Sequence, residues 1–389
     1  MESKKPLNSI NLSRRTFIRN ASLAAAGTIA AALAAKGCAS AKIPAYAASN
    51  ILNYNPKMGY RRLGKTGLML SEVGLGGHWK DRDGNRYWDK FPNNQVPPDV
   101  ATNRVEVINA CIDAGINYLD IGTAAECIAY GVVLRGRREK MIIAADDYLL
   151  TAREQKNCTV DKLMFDLDQC RRLLQTDYLD IWRVKADMYG RTTDAGVETI
   201  IETFQKAHKA GKARYLGISS HRRPWLRHVI ETFPEVQIVS FPVSAKTREK
   251  AGPPSKDNIE EVNAGYDADT EQSVFQTIRE KDIGLIAIKP FLGGNLFTRK
   301  TKFPVSGPGD KQENDLARLT LQCILANDAI TTTIPGLTTV HEVHNAVRAS
   351  YMRSLAIMPA EKNWLLETTN RRWAALPDEY AWLRDWKSV

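Results

Sequence analysis

Eight short runs rich in Ile, Val, Leu and Ala recur along the chain, with helical patterns between them. They cover residues 70–76, 117–122, 141–146, 178–185, 213–219, 236–242, 284–290 and 331–335. The runs alternate little, so both faces of each strand should be covered, as in a parallel sheet. The intervening segments carry 3.6-residue periodicity. In residues 160–174, Leu163, Leu167, Cys170, Leu173 and Leu174 share one stripe, with Asp and Arg opposite. Eight strand–helix units in roughly 300 residues predict a single α/β domain, a (β/α)8 TIM barrel. The alternative is an open doubly wound sheet. It is disfavoured because no G-x-G-x-x-G follows any run, and Gly74-Leu75-Gly76-Gly77 has a different spacing.

Charge separates the chain into parts. The formal charge is +10, which alone would suggest nucleic acid or an anionic surface as partner. Seven basic residues and one acidic residue fall within residues 1–47, leaving only +4 for the rest. That leader reads Ser13-Arg14-Arg15-Thr16-Phe17-Ile18, followed by an alanine-rich stretch at residues 21–35. The stretch is too short and mild for a membrane span of about 20 residues. It resembles a twin-arginine signal peptide, which implies the export machinery as a partner and a periplasmic or extracytoplasmic destination. Ala45-Tyr46-Ala47 offers a cleavage site; lipid anchoring through Cys38 is the other ending. No nucleic-acid motif stands out in the remainder. Five cysteines follow the leader without any C-x-x-C, so buried apolar thiols are expected rather than a disulfide framework.

Residues 58–350 resemble the aldo/keto reductase family. The resemblance lies in YRRLGKTGL at 60–68, DAGINYLD at 113–120, GRREK at 136–140, LQTDYLD at 174–180, YLGISSH at 215–221 and IPG at 334–336. It implies a TIM barrel opened by an N-terminal β-hairpin, with residues 351–389 as a C-terminal helical extension. It also implies hydride transfer between NAD(P) and a carbonyl, with a tyrosine as general acid beside an aspartate, a lysine and a histidine.

Only one of those four positions keeps its residue. Asp120 stands at the aspartate position, but Ala125 stands where the tyrosine is expected. Asp146 replaces the lysine and Lys185 replaces the histidine. Tyr130 aligns within the following helix rather than at the site. Asp120, Asp146 and Lys185 are therefore the expected catalytic group, and His221 is a further candidate proton donor. For the cofactor, the resemblance points to Ser219, Ser220, Gln237, Gly336 and Thr338. Ser240 replaces a tyrosine expected three residues after Gln237. Glu342 would repel a 2′-phosphate, so NAD is favoured over NADP. Asn345 lies one step from the adenine-contacting position, which is Ala346.

Three readings follow. The first is an oxidoreductase on a carbonyl or sugar-like small molecule with altered proton delivery. The second is a non-redox lyase or isomerase using Lys185 with Asp120 and Asp146, for which a desolvated lysine could form a Schiff base. The third is a catalytically inactive binding protein on the same barrel. No metal is expected, since His341 and His344 lack a third ligand nearby. No iron–sulfur cluster is expected either, because no cysteine follows Cys323. Oligomeric state has no sequence signal. A polar segment at 252–269 is expected to be a long loop over the barrel mouth.

Overall fold

The computed structural model describes residues 49–77, 91, 95–146, 152, 155–186, 192–247, 273–298, 310–380 and 383. The leader with Arg14, Arg15 and Cys38, the 252–269 segment, Trp382 and Trp386 lie outside these residues. Residues 52–389 form one compact unit and residues 1–51 another. Among the described residues, no helix is long and apolar enough to cross a membrane.

The larger unit begins with a hairpin. β1 (Tyr60–Arg62) pairs antiparallel with β2 (Met69–Ser71), Tyr60 opposite Ser71. Its turn holds Gly64 at φ 47° and Gly67 at φ 74°, angles that side chains disfavour. A Cβ on Gly64 would also run into the backbone of Gly284.

Seven parallel strands follow, adjacent in chain order: β3 (Tyr118–Ile121), β4 (Ile142–Ala145), β5 (Leu179–Lys185), β6 (Ala213–Ser219), β7 (Ile238–Pro242), β8 (Gly284–Ile288) and β9 (Thr332–Thr333). The sheet curls until its edges meet a common segment. Val73 bridges Thr333, Gly76 bridges Gly336 and Leu75 bridges Leu119, all in parallel. Residues 73–76 thus touch both β9 and β3, an arrangement consistent with the predicted (β/α)8 barrel. Closure demands glycine at 76, where a Cβ would sit 2.5 Å from the Ile334 carbonyl oxygen. The strand predicted at 70–76 is accordingly split between β2 and this closing segment. The predicted 331–335 run shortens to two residues before Pro335.

Nine α-helices lie among the described residues, the first seven between strands and the last two after β9: α1 (Pro98–Asp113), α2 (Ala124–Val133), α3 (Val160–Leu173), α4 (Asp194–Lys209), α5 (Arg223–Thr232), α6 (Val274–Glu280), α7 (Lys311–Leu325), α8 (Val340–Tyr351) and α9 (Pro359–Ala374). Thr123, Thr159, Thr193, Ser273, Asp310 and Thr339 cap six of them with side-chain oxygens. The stripe predicted on α3 is buried at Leu163, Leu167 and Cys170.

The interior core joins Leu63 and Leu70 of the hairpin to Tyr118, Ile142, Ala144, Ile181, Ile238, Ile286 and Ile334. The hairpin therefore plugs one end of the sheet's interior. Each fully buried Ile or Leu contributes about 1.5–3 kcal/mol. A second core lies over the exits of β7 and β8. There Leu292 and Leu296 pack with Leu316 and Leu319 of α7, and with Leu365 and Trp373 of α9. The Lys246 ammonium lies 5.4 Å from the centre of the Trp373 ring.

Candidate active site

Strand alternation determines which side chains reach the mouth. Residues two apart share a face, so the face that carries Tyr118, Ile142, Ile181 and Ile238 in the core continues as Asp120, Asp146, Arg183, Lys185 and Ser240. Asp120, Asp146 and Lys185 are all buried, as is Arg183.

The charges join in two pairs. Arg183 grips Asp120 through two contacts, Nη2 to Oδ1 at 2.9 Å and Nε to Oδ2 at 3.0 Å. Its Nη2 also donates to the Ile121 carbonyl at 3.0 Å. Burial disfavours the Arg183 charge, but Asp120 and Asp146 outweigh it and hold its pKa above the ordinary value. The Tyr118 hydroxyl donates to Asp120 Oδ2 at 2.9 Å. Burial, then the Asp120 charge, push the Tyr118 pKa well above its ordinary value. Tyr118 is thus committed to Asp120 and is a poor acid.

The second pair is Lys185 with Asp146. Lys185 Nζ lies 3.8 Å from Asp146 Oδ2, and the Lys185 backbone N–H donates to the same oxygen at 3.1 Å. The ammonium donates at 2.6 Å to the carbonyl of Gly122. So Asp120, Asp146 and Lys185 do converge, but Asp120 is engaged by Arg183 rather than by the lysine. Sequence reasoning missed Arg183, although its place two residues before Lys185 on one strand puts it on the same face.

Glu126 is another residue the sequence reading passed over. It is buried, and its Oε2 accepts the Gly122 N–H at 2.8 Å. Tyr130 does not reach the mouth. It lies in α2 beside a cavity of about 90 Å³ with Leu134, Arg138, Ile143 and Leu174, and Ile143 points away from the barrel interior. Burial pushes its pKa up to about 12. His221 follows Ser220 directly at the exit of β6 and is half-buried.

Residues 90–357 match the aldo/keto reductase family. The chain belongs to the aldo/keto reductase family. It is 27% identical over 176 residues to a 6-dehydroglucose reductase of Novosphingobium aromaticivorans, covering 41% of this chain and 51% of that one. It is 23% identical over 318 residues to an L-galactose dehydrogenase of Arabidopsis thaliana, covering 75% and 88%. The chain thus spans about half of the first relative and most of the second. In fold it resembles the holo form of an aldo-keto reductase of Bacillus halodurans, with TM-score 0.55, 21% identity, and 80% and 96% coverage. It also resembles a Klebsiella pneumoniae aldo/keto reductase solved with NADP and acetate, with TM-score 0.54, 16% identity, and 79% and 94% coverage.

For an aldo/keto reductase, the residues expected at the cofactor fall in two places. Ser219 ends β6 and pairs with both Lys185 and Ser240, while the Ser220 N–H donates to the Ser240 carbonyl at 3.1 Å. The Ser240 hydroxyl is buried and has no hydrogen-bond partner among the described residues. Gln237 is not brought to them. It precedes β7 at the end away from the mouth, where its carbonyl accepts the Gly284 N–H. Gly336 sits against the closing strand, and a Cβ there would meet the Gly77 carbonyl oxygen at 2.9 Å.

Thr338 begins the turn into α8, and Arg104 of α1 braces that turn through the carbonyls of Leu337 and Thr338. Glu342 Oε2 accepts the N–H groups of Thr338 and Thr339 at 2.6 and 3.1 Å. The anion-binding end of α8 is filled by this chain's own carboxylate. Asn345 Nδ2 donates to the Asn314 carbonyl at 2.8 Å, and Ala346 is buried beside it. Among the described residues, no group of three His, Cys, Asp or Glu side chains is placed to hold a metal.

Proposed function

We propose that this chain is an exported oxidoreductase on a (β/α)8 barrel that interconverts a carbinol and a carbonyl on a sugar-like molecule. It uses a nicotinamide cofactor, and Lys185 carries the proton. The observation behind this reading is the Lys185 ammonium, buried at the mouth end of β5 between Asp146 and the Gly122 carbonyl. The sugar-like substrate rests on the two curated relatives, whose names specify a dehydroglucose and a galactose.

When bound, the nicotinamide supplies or accepts a hydride. Lys185 donates a proton to the carbonyl oxygen in reduction and takes one from the hydroxyl in oxidation. A lysine, with an ordinary pKa of about 10.4, is close to the tyrosine value of about 10. Replacing one by the other thus keeps a proton donor of similar strength. Arg183 and Tyr118 hold Asp120 in place, and Asp120 with Asp146 surrounds the cationic pair with negative charge. Ser219 and Ser220, with the partnerless Ser240 hydroxyl, offer hydroxyls of the kind that fit a neutral carboxamide. Gly336 and Thr338 would border the nucleotide. Glu342 at the start of α8 favours NAD over NADP, because a 2′-phosphate would meet a carboxylate there. The C-terminal helices pack on the β7 and β8 exits as an extension of the barrel. The Arg14-Arg15 leader is the basis for export.

The test is NADH titration followed by fluorescence, then oxidation assays on a panel of aldoses with wild type and Lys185→Met. Binding of NADH and a loss of turnover of at least roughly 100-fold in the variant are expected. No fluorescence change in wild type would overturn the reading. The lyase or isomerase reading is weakened by Arg183, which removes Asp120 from Lys185. Borohydride trapping of a carbonyl compound on Lys185 would restore it.

A further inference from the structure

We infer that Arg183 is a further catalytic residue, one that donates from Nη1 to the ligand oxygen held at the barrel mouth. In the proposed reaction this is the carbonyl oxygen that Lys185 protonates, so the inference rests on that reading for its substrate.

A guanidinium carries five N–H donors in a planar fork. Three are spent here: Nε on Asp120 Oδ2, and Nη2 on Asp120 Oδ1 and on the Ile121 carbonyl. Neutralising Asp120 needs only that edge. Nη1, with the other two donors, makes no hydrogen bond among the described residues. Unlike the Ser240 hydroxyl, it is not a sealed atom without a partner. Unmet donors on a buried cation are costly, so this edge suits an oxygen that comes from outside the chain.

The opening lies where such a ligand arrives. The side chains of Arg183, Asp120 and Lys185 keep 6, 7 and 8% of their surface open, whereas Asp146 keeps 1%. Below them the interior is filled by Tyr118, Ile142 and Ile181, so the open surface faces the mouth. The two cations reach neighbouring points. Arg183 donates to the Ile121 carbonyl and Lys185 to that of Gly122, consecutive residues at the exit of β3. Asp146 supports both charges. It lies 3.8 Å from Lys185 Nζ and, after Asp120, helps hold Arg183 protonated.

Their chemistry divides accordingly. A guanidinium does not give up a proton in proteins, so Lys185 transfers the proton while Arg183 polarises the carbonyl and offsets its developing negative charge. With the nicotinamide as hydride source, the carbonyl carbon receives the hydride and the oxygen receives the Lys185 proton. The guanidinium is unchanged throughout.

The test uses the full chain in the Asp120→Asn background, where no aspartate remains to be neutralised and a purely charge-balancing Arg183 is dispensable. Acetate, whose carboxylate oxygen stands in for the developing alkoxide, is added as its 13C form without cofactor, and its line broadening is measured. Wild type and Asp120→Asn should bind it, and Arg183→Met with Asp120→Asn should weaken binding at least roughly tenfold. In aldose oxidation with NAD, kcat should fall roughly 100-fold between the single and the double variant, while KM for NAD stays within about twofold. Arg183→Gln, whose amide can bond Asn at 120, serves where the methionine variant does not fold by circular dichroism. Equal acetate binding in the single and double variants, or none in wild type, overturns the inference. Turnover lost in Lys185→Met but equal in the single and double variants sinks the inference and spares the proposed function. Acetate held through Arg183 in a protein that binds no NADH does the reverse.

Discussion

Replacing Arg183 with methionine tests whether the Asp120–Arg183 pair holds the floor of the site. Methionine keeps much of the stem but cannot donate. Asp120 loses guanidinium contacts at 2.9 and 3.0 Å, and the Ile121 carbonyl loses a donor at 3.0 Å. Only the Tyr118 hydroxyl, at 2.9 Å, remains of the contacts described for Asp120. Removing one partner of a buried pair costs about 3–5 kcal/mol, because the other charge is left uncompensated. Unfolding entropy near 2.1 cal/mol/K per residue gives residues 52–389 about 0.7 kcal/mol/K. The expected fall in Tm is therefore about 4–7 °C, measured by scanning calorimetry on the full chain. Asp120→Asn alone strands the guanidinium and should cost a similar amount. The double variant removes both charges and should recover at least about 2 kcal/mol of the summed single losses. Arg183→Met melting within about 1 °C of wild type, or strict additivity in the cycle, would refute the argument.

Gly76→Ala forces a Cβ to within 2.5 Å of the Ile334 carbonyl oxygen. It should destabilise the fold by about 1–3 kcal/mol in denaturant melts, and an unchanged midpoint would mean the closing segment can move aside. Tyr60 and Tyr130 have pKa values raised to about 12 by burial, so the folded state keeps protons that the unfolded state releases from about pH 10. Their contribution is complete below pH 10 and lost as pH rises through 12; a Tm that did not fall across this window would contradict it. The Cys127 and Cys170 sulfurs lie 3.5 Å apart, within about 1.5 Å of disulfide bonding distance. Diamide should join their two peptides, reversibly by dithiothreitol, and failure to find the linked pair by mass spectrometry would show that the helices cannot close that gap. Within the proposed function, Glu342→Ala frees the N–H groups of Thr338 and Thr339 and should raise NADP affinity relative to NAD roughly tenfold, read by fluorescence titration.

The parallel sheet was legible because strands covered on both faces leave continuous apolar runs, and β3 to β8 fall within the predicted ones. The hairpin was legible only through the family resemblance of residues 60–68. What escaped was pairing across strands. Asp120, Asp146 and Lys185 could each be placed by strand number, but which cation meets which carboxylate depends on register. Register put Arg183 on Asp120 and left Lys185 to Asp146. Glu126 escaped for a different reason. Three residues after a threonine, it reads as an ordinary capping glutamate, and its carboxylate takes the N–H of Gly122 before the cap just as Glu342 takes that of Thr338. Gln237 matched by motif yet precedes β7 at the end away from the mouth, where its carbonyl pairs with the Gly284 N–H. The Cys127–Cys170 approach had no sequence signal, since the helices that carry the two thiols are brought together only by the fold.

An ammonium and a phenol of similar ordinary pKa do not behave alike once a carbonyl is reduced beside them. The phenol leaves an anion after giving up its proton, whereas the ammonium leaves a neutral amine. Negative charge around a phenol makes that anion harder to form. Around an ammonium, the same charge holds the proton more tightly and stabilises the cation that faces a developing alkoxide. The surroundings of Lys185 fit the second case: Asp146 stands 3.8 Å from its ammonium, and the carbonyl of Gly122 stands 2.6 Å away. Carboxylates at these positions would burden a tyrosine acid, as burial and the Asp120 charge burden Tyr118. On the proposed reading, Asp146 and Lys185 belong together, since each buried charge is offset by the other. Arg183 completes the arrangement by neutralising Asp120, so that this aspartate does not compete for Lys185.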